Sequence, residues 1–242
     1  MDAKIYKTMD SVEKYHWWFV SRARIVESII LKYFPEKSDL NILDVGCGSG
    51  GNFKMLSAFG KITGLEPDGF AATQAISKNI AIKVIQDDFI KNTDVQSQRY
   101  DLIVLTDVLE HIEKDKEALN KILGLLSPNG KLLITVPAGM NIWSKHDVTH
   151  QHFRRYSRND LKDKLLNAGF QINMLSYYNF FLYPLVFIER KLKLNKHEDD
   201  VDMSGGILNS LLKEIFSSEG FWLKLGVKFP IGVSLITVCS KK

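Results

Sequence analysis

The stretch Asn41-Ile-Leu-Asp-Val-Gly-Cys-Gly-Ser-Gly-Gly51 has the residue types and spacing that point most directly to chemistry. Leu40 to Val45 reads as an apolar strand, glycines occupy positions 46, 48, 50 and 51, and a helical pattern of Phe53, Met55, Leu56 and Phe59 follows at once. Strand, glycine loop and helix form a ligand-binding corner of an open α/β sheet. Glycine lets the backbone adopt positive φ and lets a ligand approach closely. Free N–H groups at a helix start suit an anion. Two glycine patterns overlap here. Gly46, Gly48 and Gly51, with Glu66 downstream, fit a dinucleotide fingerprint. Gly46, Gly48 and Gly50, with Asp44 two residues ahead, read D-x-G-x-G-x-G. An acid closing a buried strand is costly without a partner. A pyrophosphate would be repelled by Asp44, whereas a ligand with an amino-acid end offers it an ammonium and offers the helix start a carboxylate.

Three further groups could act on a second substrate. Asp107, Glu110 and His111 follow an apolar strand (Tyr100–Leu105) as D-x-x-E-H. A histidine, with an unperturbed pKa of about 6.5, is the natural base for a hydroxyl. His111 is the first candidate, with His146 and His150, four residues apart, behind it. The interval 138–160 is dense in histidine and arginine, and its length suits a functional loop. There Arg154, Arg155, Tyr156 and Arg158 suit a phosphate or carboxylate on the acceptor, since arginine pairs with such groups through two bonds; the alternative is a solvated basic loop. Trp17 and Trp18 cannot face one core, because helical neighbours point about 100° apart. Either one faces a ligand or both are half-buried.

The elements that must position these residues alternate strand and helix. A helix is expected from about 11 to 33, broken near 20. Further strands are expected at 61–65, 82–85, 100–105, 131–136, 170–177 and 233–239, and helices at 70–78, 114–126 and 160–168. Near-continuous apolar strands separated by helices define a doubly wound, mostly parallel seven-stranded α/β sheet whose last strand is antiparallel. We expect one domain: an N-terminal helical cap (1–38), a core (39–178 and 231–242), and a helical insertion (179–230) with a polar piece at 196–206. The insertion is expected to form a lid over an apolar acceptor, or a surface touching a membrane or a second subunit.

The chain has 242 residues, 25% of them charged, a net charge of +4 and a pI near 8.9. Its cations are dispersed, which argues weakly for nucleic acid or membrane partners. Cys47 and Cys239 show neither metal-ligand spacing nor a disulfide framework, which fits a reducing, cytoplasmic setting. No stretch is long and apolar enough to span a bilayer.

The segments 43–51, 66, 88–89, 101–112 and 127–137 together closely resemble class I S-adenosylmethionine-dependent methyltransferases. More narrowly, Tyr15-His-Trp-Trp-Phe19, Leu109-Glu-His111 and the run from His152 to Ser157 resemble bacterial small-molecule enzymes of glycan or cell-envelope pathways. The resemblance implies S-adenosylmethionine as cofactor, with Asp44, Gly46, Cys47, Gly48 and Gly50 at its methionine end. It places Glu66 and Pro67 at the ribose and Asp88 and Phe89 at the adenine, with Asp107 completing the contacts. Trp17, Trp18, Arg154, Arg155 and Tyr156 would meet the acceptor, a small molecule or glycan-type group methylated on a hydroxyl, less readily on an amine. Some enzymes of this fold carry E-x-x-E-H and bind a divalent metal through it. Here Asp107 replaces the first Glu, so no metal is the expectation, with Asp107, Glu110 and His111 as the ligands if one were bound and His146 or His150 as a distal addition. Competing readings are an NAD-dependent oxidoreductase or epimerase, an RNA methyltransferase, and an inactive methyltransferase-like binding module.

Overall fold

A computed structural model describes residues 11–36, 39–192 and 206–242. The polar piece expected at 196–206 lies almost wholly outside them. Seven strands form one sheet in the order β3-β2-β1-β4-β5-β7-β6. They are β1 (Leu40–Val45), β2 (Gly60–Leu65), β3 (Lys83–Ile85), β4 (Tyr100–Thr106), β5 (Leu126–Pro137), β6 (Phe170–Tyr178) and β7 (Ser234–Lys241). β1 pairs in parallel with both β2 and β4, while β7 runs antiparallel between β5 and β6. The chain steps outward from β1 to β3 and then returns beside β1 as β4. That reversal opens a crevice at the carboxyl ends of β1 and β4, where an open α/β sheet receives its ligand.

The helices are α1 (Trp17–Tyr33), α2 (Phe53–Leu56), α3 (Gly69–Ser77), α4 (Asp115–Leu125), α5 (Lys145–Thr149), α6 (Arg158–Asn167), α7 (Tyr183–Leu192) and α8 (Ile207–Lys224). One face of the sheet packs on α4 and α6 through Ala118, Leu119, Ile122, Leu161 and Leu165. The other packs on α1, α2 and α8 through Ile25, Ile29, Phe53, Phe216 and Leu223.

Three boundaries differ from expectation. The N-terminal helix breaks at 13–16, not near 20, because His16 caps α1 by accepting from Trp18 N–H. The turn signal Ser127-Pro-Asn-Gly130 bulges out of β5 between the pairs Tyr100–Leu126 and Leu102–Lys131. The loop 138–160 contains a 3-10 turn and α5, the latter started by a Ser144–Asp147 capping box. The helical insertion expected at 179–230 contributes α7 and the long α8, in which Gly220 is tolerated where α8 crosses Ile25 and Ser28 of α1.

α1 and α8 bind each other along their lengths. Trp17 N–H donates to Asn209 Oδ1 (2.9 Å), Ser21 Oγ–H donates to the Lys213 carbonyl (2.9 Å), and Arg24 pairs with Glu214 (3.0 Å).

Candidate active site

The crevice is a cleft of about 1370 Å³, larger than the ~300–1,000 Å³ of an ordinary single-ligand site. Its floor is the glycine loop with Glu66, Asp88 and Phe89. Its far wall holds Glu110, His111, His146, His150 and His152, and Trp17, Trp18, Leu182, Leu185 and Leu212 close it from the helical side.

The glycine loop takes the alternating form. Gly46, Gly48 and Gly50 have positive φ (64°, 55° and 81°), and Gly51 does not. A Cβ at Gly46 would lie 2.7 Å from Val108, whereas one at Gly48 would meet nothing within 4 Å. Gly48 therefore faces open space, as a position approached by a ligand must. Gly51 is small for a different reason: the Glu13 carboxylate lies where its Cβ would be. Glu13 also accepts from Ser49 Oγ–H (3.3 Å) and pairs with Lys78 (2.5 Å), so the N-terminal turn rests on the loop. α2 has only four residues, which leaves the backbone loop rather than a helix dipole to meet an anion.

Asp44 is fully buried beneath this loop, and neither oxygen is hydrogen-bonded among the described residues. The adjacent Asn52 amide donates to Thr106 instead (2.9 Å). Burial, partly offset by Arg22, raises the Asp44 pKa to about 7, with Glu66 adding to the rise. A buried carboxylate without a partner is expensive, and a cationic ligand group would relieve it. Glu66 accepts from Gly48 N–H (2.9 Å) and from Asp68 N–H (3.0 Å), which fixes its carboxylate at the end of β2. Asp88 lines the cleft while its Oδ1 caps the N–H groups of Ile90 and Lys91; Asp87 instead bonds Asn92. Phe89 is held in the core, with Lys121 over its ring at 5.0 Å. Cys47 and Pro67 line the floor, and burial raises the Cys47 thiol well above its ordinary range. An ammonium, a carboxylate, ribose hydroxyls and an adenine would each find a suitable group here, so S-adenosylmethionine fits the residues present.

Asp107 departs from its expected role. It has φ +56°, its N–H donates to the Thr135 carbonyl, and its Oδ2 pairs with Arg22 at 2.6 Å. Arg22 was not singled out by the sequence reading. It reaches in from α1, and Asp107 and Asp44 raise its pKa against the effect of burial. The spacing of α1 alone could not reveal which polar residue would turn inward.

His111 sits at the centre of the far wall. Burial, reinforced by His152 and His150 and opposed by Asp107, lowers its pKa to about 4, so its imidazole is neutral at neutral pH. His111 and His152 meet edge to face at 4.7 Å. His146 and His150 pair with each other at 4.0 Å on the same wall. Beside His111, the Glu110 carboxylate is fully buried with both oxygens unpartnered among the described residues, and burial with Asp107 raises its pKa well above the usual range. Glu110, His111 and His152 offer ligand atoms all within 4.8 Å of one another. The D-x-x-E-H grouping is thus divided. Asp107 pairs with Arg22 and is not part of the close cluster, and His152, rather than His146 or His150, joins the other two.

Arg154, Arg155 and Tyr156 are engaged by carboxylates of the chain itself, and of the three Arg155 lines the cleft. Arg155 is buried, bonding Asp147 Oδ1 (2.7 Å) and the Ala138 carbonyl (2.9 Å). His152 Nδ1 lies 2.9 Å from the same Asp147 oxygen. Burial would raise the Asp147 pKa, but His152 and Arg155 hold it well below the usual carboxylate range. Arg154 pairs with Asp115 (2.8 Å), and Tyr156 is fully buried with its hydroxyl donating to Asp115 (3.0 Å). These charges neutralise one another and pin the loop. Trp17 and Trp18 are both half-buried and both line the cleft; Trp18 stacks on Phe216 at 5.3 Å.

The reversed strand order, the alternating glycine loop and the orphaned acid beneath it define a Rossmann-like S-adenosylmethionine-dependent methyltransferase. A family model described as methyltransferase domain matches residues 19–174, and the chain belongs to that family. It is 29% identical over 150 residues to a ubiquinone biosynthesis O-methyltransferase of Rickettsia felis, covering 53% of this chain and 60% of that one. It is 31% identical over 110 residues to an uncharacterized protein of Methanocaldococcus jannaschii, covering 45% and 46%. The chain thus spans about half the length of the curated relatives it matches. Among solved structures, the plantazolicin methyltransferase BpumL with S-adenosylhomocysteine and a pentazolic desmethylPZN analogue superposes with a TM-score of 0.65 at 17% identity, covering 100% and 92%. A methyltransferase complexed with the Trm112 activator of Haloferax volcanii gives 0.60 at 13% identity, covering 98% and 92%. At such identities the superpositions establish the fold.

Proposed function

We propose that the chain methylates a hydroxyl of an apolar or amphipathic small-molecule acceptor. Bound S-adenosylmethionine supplies an activated methyl group. Asp44 faces the ammonium end, Glu66 takes the ribose hydroxyls, and Asp88 and Phe89 frame the adenine. The chain then has to hold the acceptor in line, and orientation of this kind is worth about 7–11 kcal/mol. Trp17, Trp18, Leu182 and Leu212 offer it an apolar wall, and His111 takes the hydroxyl proton. The observation carrying this reading is that His111 lines one cleft together with the apolar residues Trp17, Trp18, Leu182 and Leu212 and with the glycine loop and Glu66. The O-methyltransferase names of curated relatives point the same way.

The test measures S-adenosylhomocysteine release with a panel of apolar hydroxyl and amine acceptors. His111→Ala should lower kcat by about 10²–10⁴-fold with cofactor affinity unchanged. In the wild type, with cofactor saturating, the acid limb of kcat/KM should lie near pH 4. Turnover of amines alone, or an unimpaired variant, overturns the reading.

A second reading comes from the orphaned Glu110 carboxylate. Glu110, His111 and His152 would together hold a divalent cation that orients the acceptor oxygen, since mixed oxygen and imidazole donors suit such ions. Elemental analysis should then find one ion per chain, lost in His152→Ala, and EDTA should abolish turnover. A metal-free chain that stays active in EDTA removes this reading and leaves His111 as a base.

A further inference from the structure

α8 is apolar on two opposite sides. Its inner face buries Leu212, Phe216 and Leu223 against α1 and the sheet. Its outer face carries Ile207, Leu211, Trp222 and Leu225, exposed by 90%, 55%, 44% and 65%. With about 3.6 residues per turn, those four positions fall on one side, as an apolar pair near each end of α8 separated by the exposed Glu214 and Ser218. Phe221, Val227 and Ile231 extend the surface past the end of α8, and Phe181, Leu185 and Ile188 extend it onto α7. The pieces are tied together: Glu219 of α8 accepts from the N–H groups of Phe180 and Phe181 (2.8 and 3.0 Å), and Phe229 stacks on Phe180 at 5.0 Å. Of the large apolar side chains exposed among the described residues, most lie between 181 and 231. An exposed apolar patch of this extent marks a contact with a protein partner or with a membrane surface.

The charges choose between those occupants. Lys224 and Lys228 lie exposed among Phe221, Trp222, Leu225 and Val227, with no ion pair among the described residues. The exposed carboxylate of Glu214 is taken up by Arg24 and Lys213, and that of Glu219 is buried. The free charge at this end of the patch is therefore positive. Lysine is depleted from the cores of protein–protein interfaces. At a bilayer surface it is favoured, because the stem lies among apolar groups while the ammonium reaches the headgroups. Leu185 and Leu212 connect the patch to the active site: both line the cleft, and Leu185 is also exposed at its mouth.

We propose that the outer face of α7 and α8, with the loop to residue 231, lies on an anionic membrane surface, with the mouth of the cleft opening at that surface. An acceptor with an apolar tail could then enter along Leu185 and Leu212 without crossing water. The contact itself does not depend on which atom is methylated, and its test does not involve turnover.

The experiment is flotation of the full chain with vesicles of phosphatidylcholine alone or mixed with phosphatidylglycerol. The chain should float with the mixed vesicles, and high salt should weaken this. Trp222→Glu with Leu225→Glu should abolish flotation, and Lys224→Glu with Lys228→Glu should weaken it by roughly tenfold or more. All variants should keep wild-type circular dichroism and S-adenosylhomocysteine affinity, since none of these residues lines the cleft. Brominated lipid should quench wild-type tryptophan fluorescence more than that of Trp222→Phe. A wild-type chain that floats with neither vesicle overturns the proposal. So does flotation indifferent to all four substitutions. A dimer in solution that Trp222→Glu with Leu225→Glu dissociates, without vesicle binding, would assign the face to a second copy instead.

Discussion

Asp44 beneath the glycine loop and Asp147 in the loop 138–160 are both buried acids, and the chain treats them in opposite ways. On the cofactor floor, Asp44 is buried with both oxygens unpartnered, and Gly48 faces open space. In the loop 138–160, Asp147 satisfies Arg155 and His152, while Asp115 satisfies Arg154 and Tyr156. Asp44, like Glu110 on the far wall, is left for a ligand to complete, whereas Asp147 and Asp115 hold the chain to itself. Density of charged residue types does not separate the two.

That contrast can be broken most forcefully at Arg155. Arg155→Ala leaves Asp147 charged and buried beside a half-satisfied network, and should cost about 3–5 kcal/mol of stability. Chemical denaturation should show this loss. An increase in acceptor KM with stability intact would return Arg155 to a substrate-binding role.

Asp44→Asn should act with the opposite sign. The folded pKa of Asp44, about 7, lies above its ordinary 3.8. For an acid raised in this way, stability is lost as pH climbs from the unfolded value to the folded one, and it stays lost above. The ligand-free variant should therefore gain up to about 4 kcal/mol at pH 8 and little at pH 4. The same substitution should weaken cofactor binding by about two orders of magnitude, because the ammonium loses its counter-charge. Wild-type affinity should likewise fall as pH drops through 7. A variant that is destabilised at pH 8 would mean that Asp44 is already satisfied without ligand.

Glu66→Gln sharpens the comparison with the smallest effect. One acceptor oxygen remains and the new NH2 faces the other N–H of Gly48 or Asp68, so stability should fall by about 1–3 kcal/mol, while loss of the charged acceptor should reduce S-adenosylhomocysteine affinity by roughly tenfold. Calorimetric titration measures both Asp44 and Glu66 effects on one scale.

The same division explains what could be read from the residues alone. The sheet was legible because strand after strand is almost wholly apolar and each is closed by a glycine, proline or polar turn. The D-x-G-x-G-x-G register was legible because a buried Asp and alternating glycines have few other uses. The internal pairing of Arg154, Arg155 and Tyr156 was not legible because arginine suits an internal carboxylate as well as a bound anion, and Asp115 and Asp147 are too distant or too ordinary in sequence to announce themselves as partners. Arg22 and His152 entered the site through tertiary contacts, with Asp107 and with His111, that no local spacing encodes. The insertion 179–230 was legible as helical, but the apolar residues on the outer side of α8 stand out only once the inner side is known to be covered.

The pairing of α1 with α8 also sets a timetable. Trp17 and Ser21 find their hydrogen-bond partners 192 residues later in the chain. At a synthesis rate of about 5–20 residues per second, α1 waits roughly 10–40 s for α8 to emerge. During that interval Trp17 and Trp18 lack Phe216 as a neighbour, and the acceptor side of the cleft has no roof. The newborn enzyme can thus assemble its cofactor floor long before it can enclose an acceptor, and the exposed tryptophans in between are a natural holding point for a chaperone.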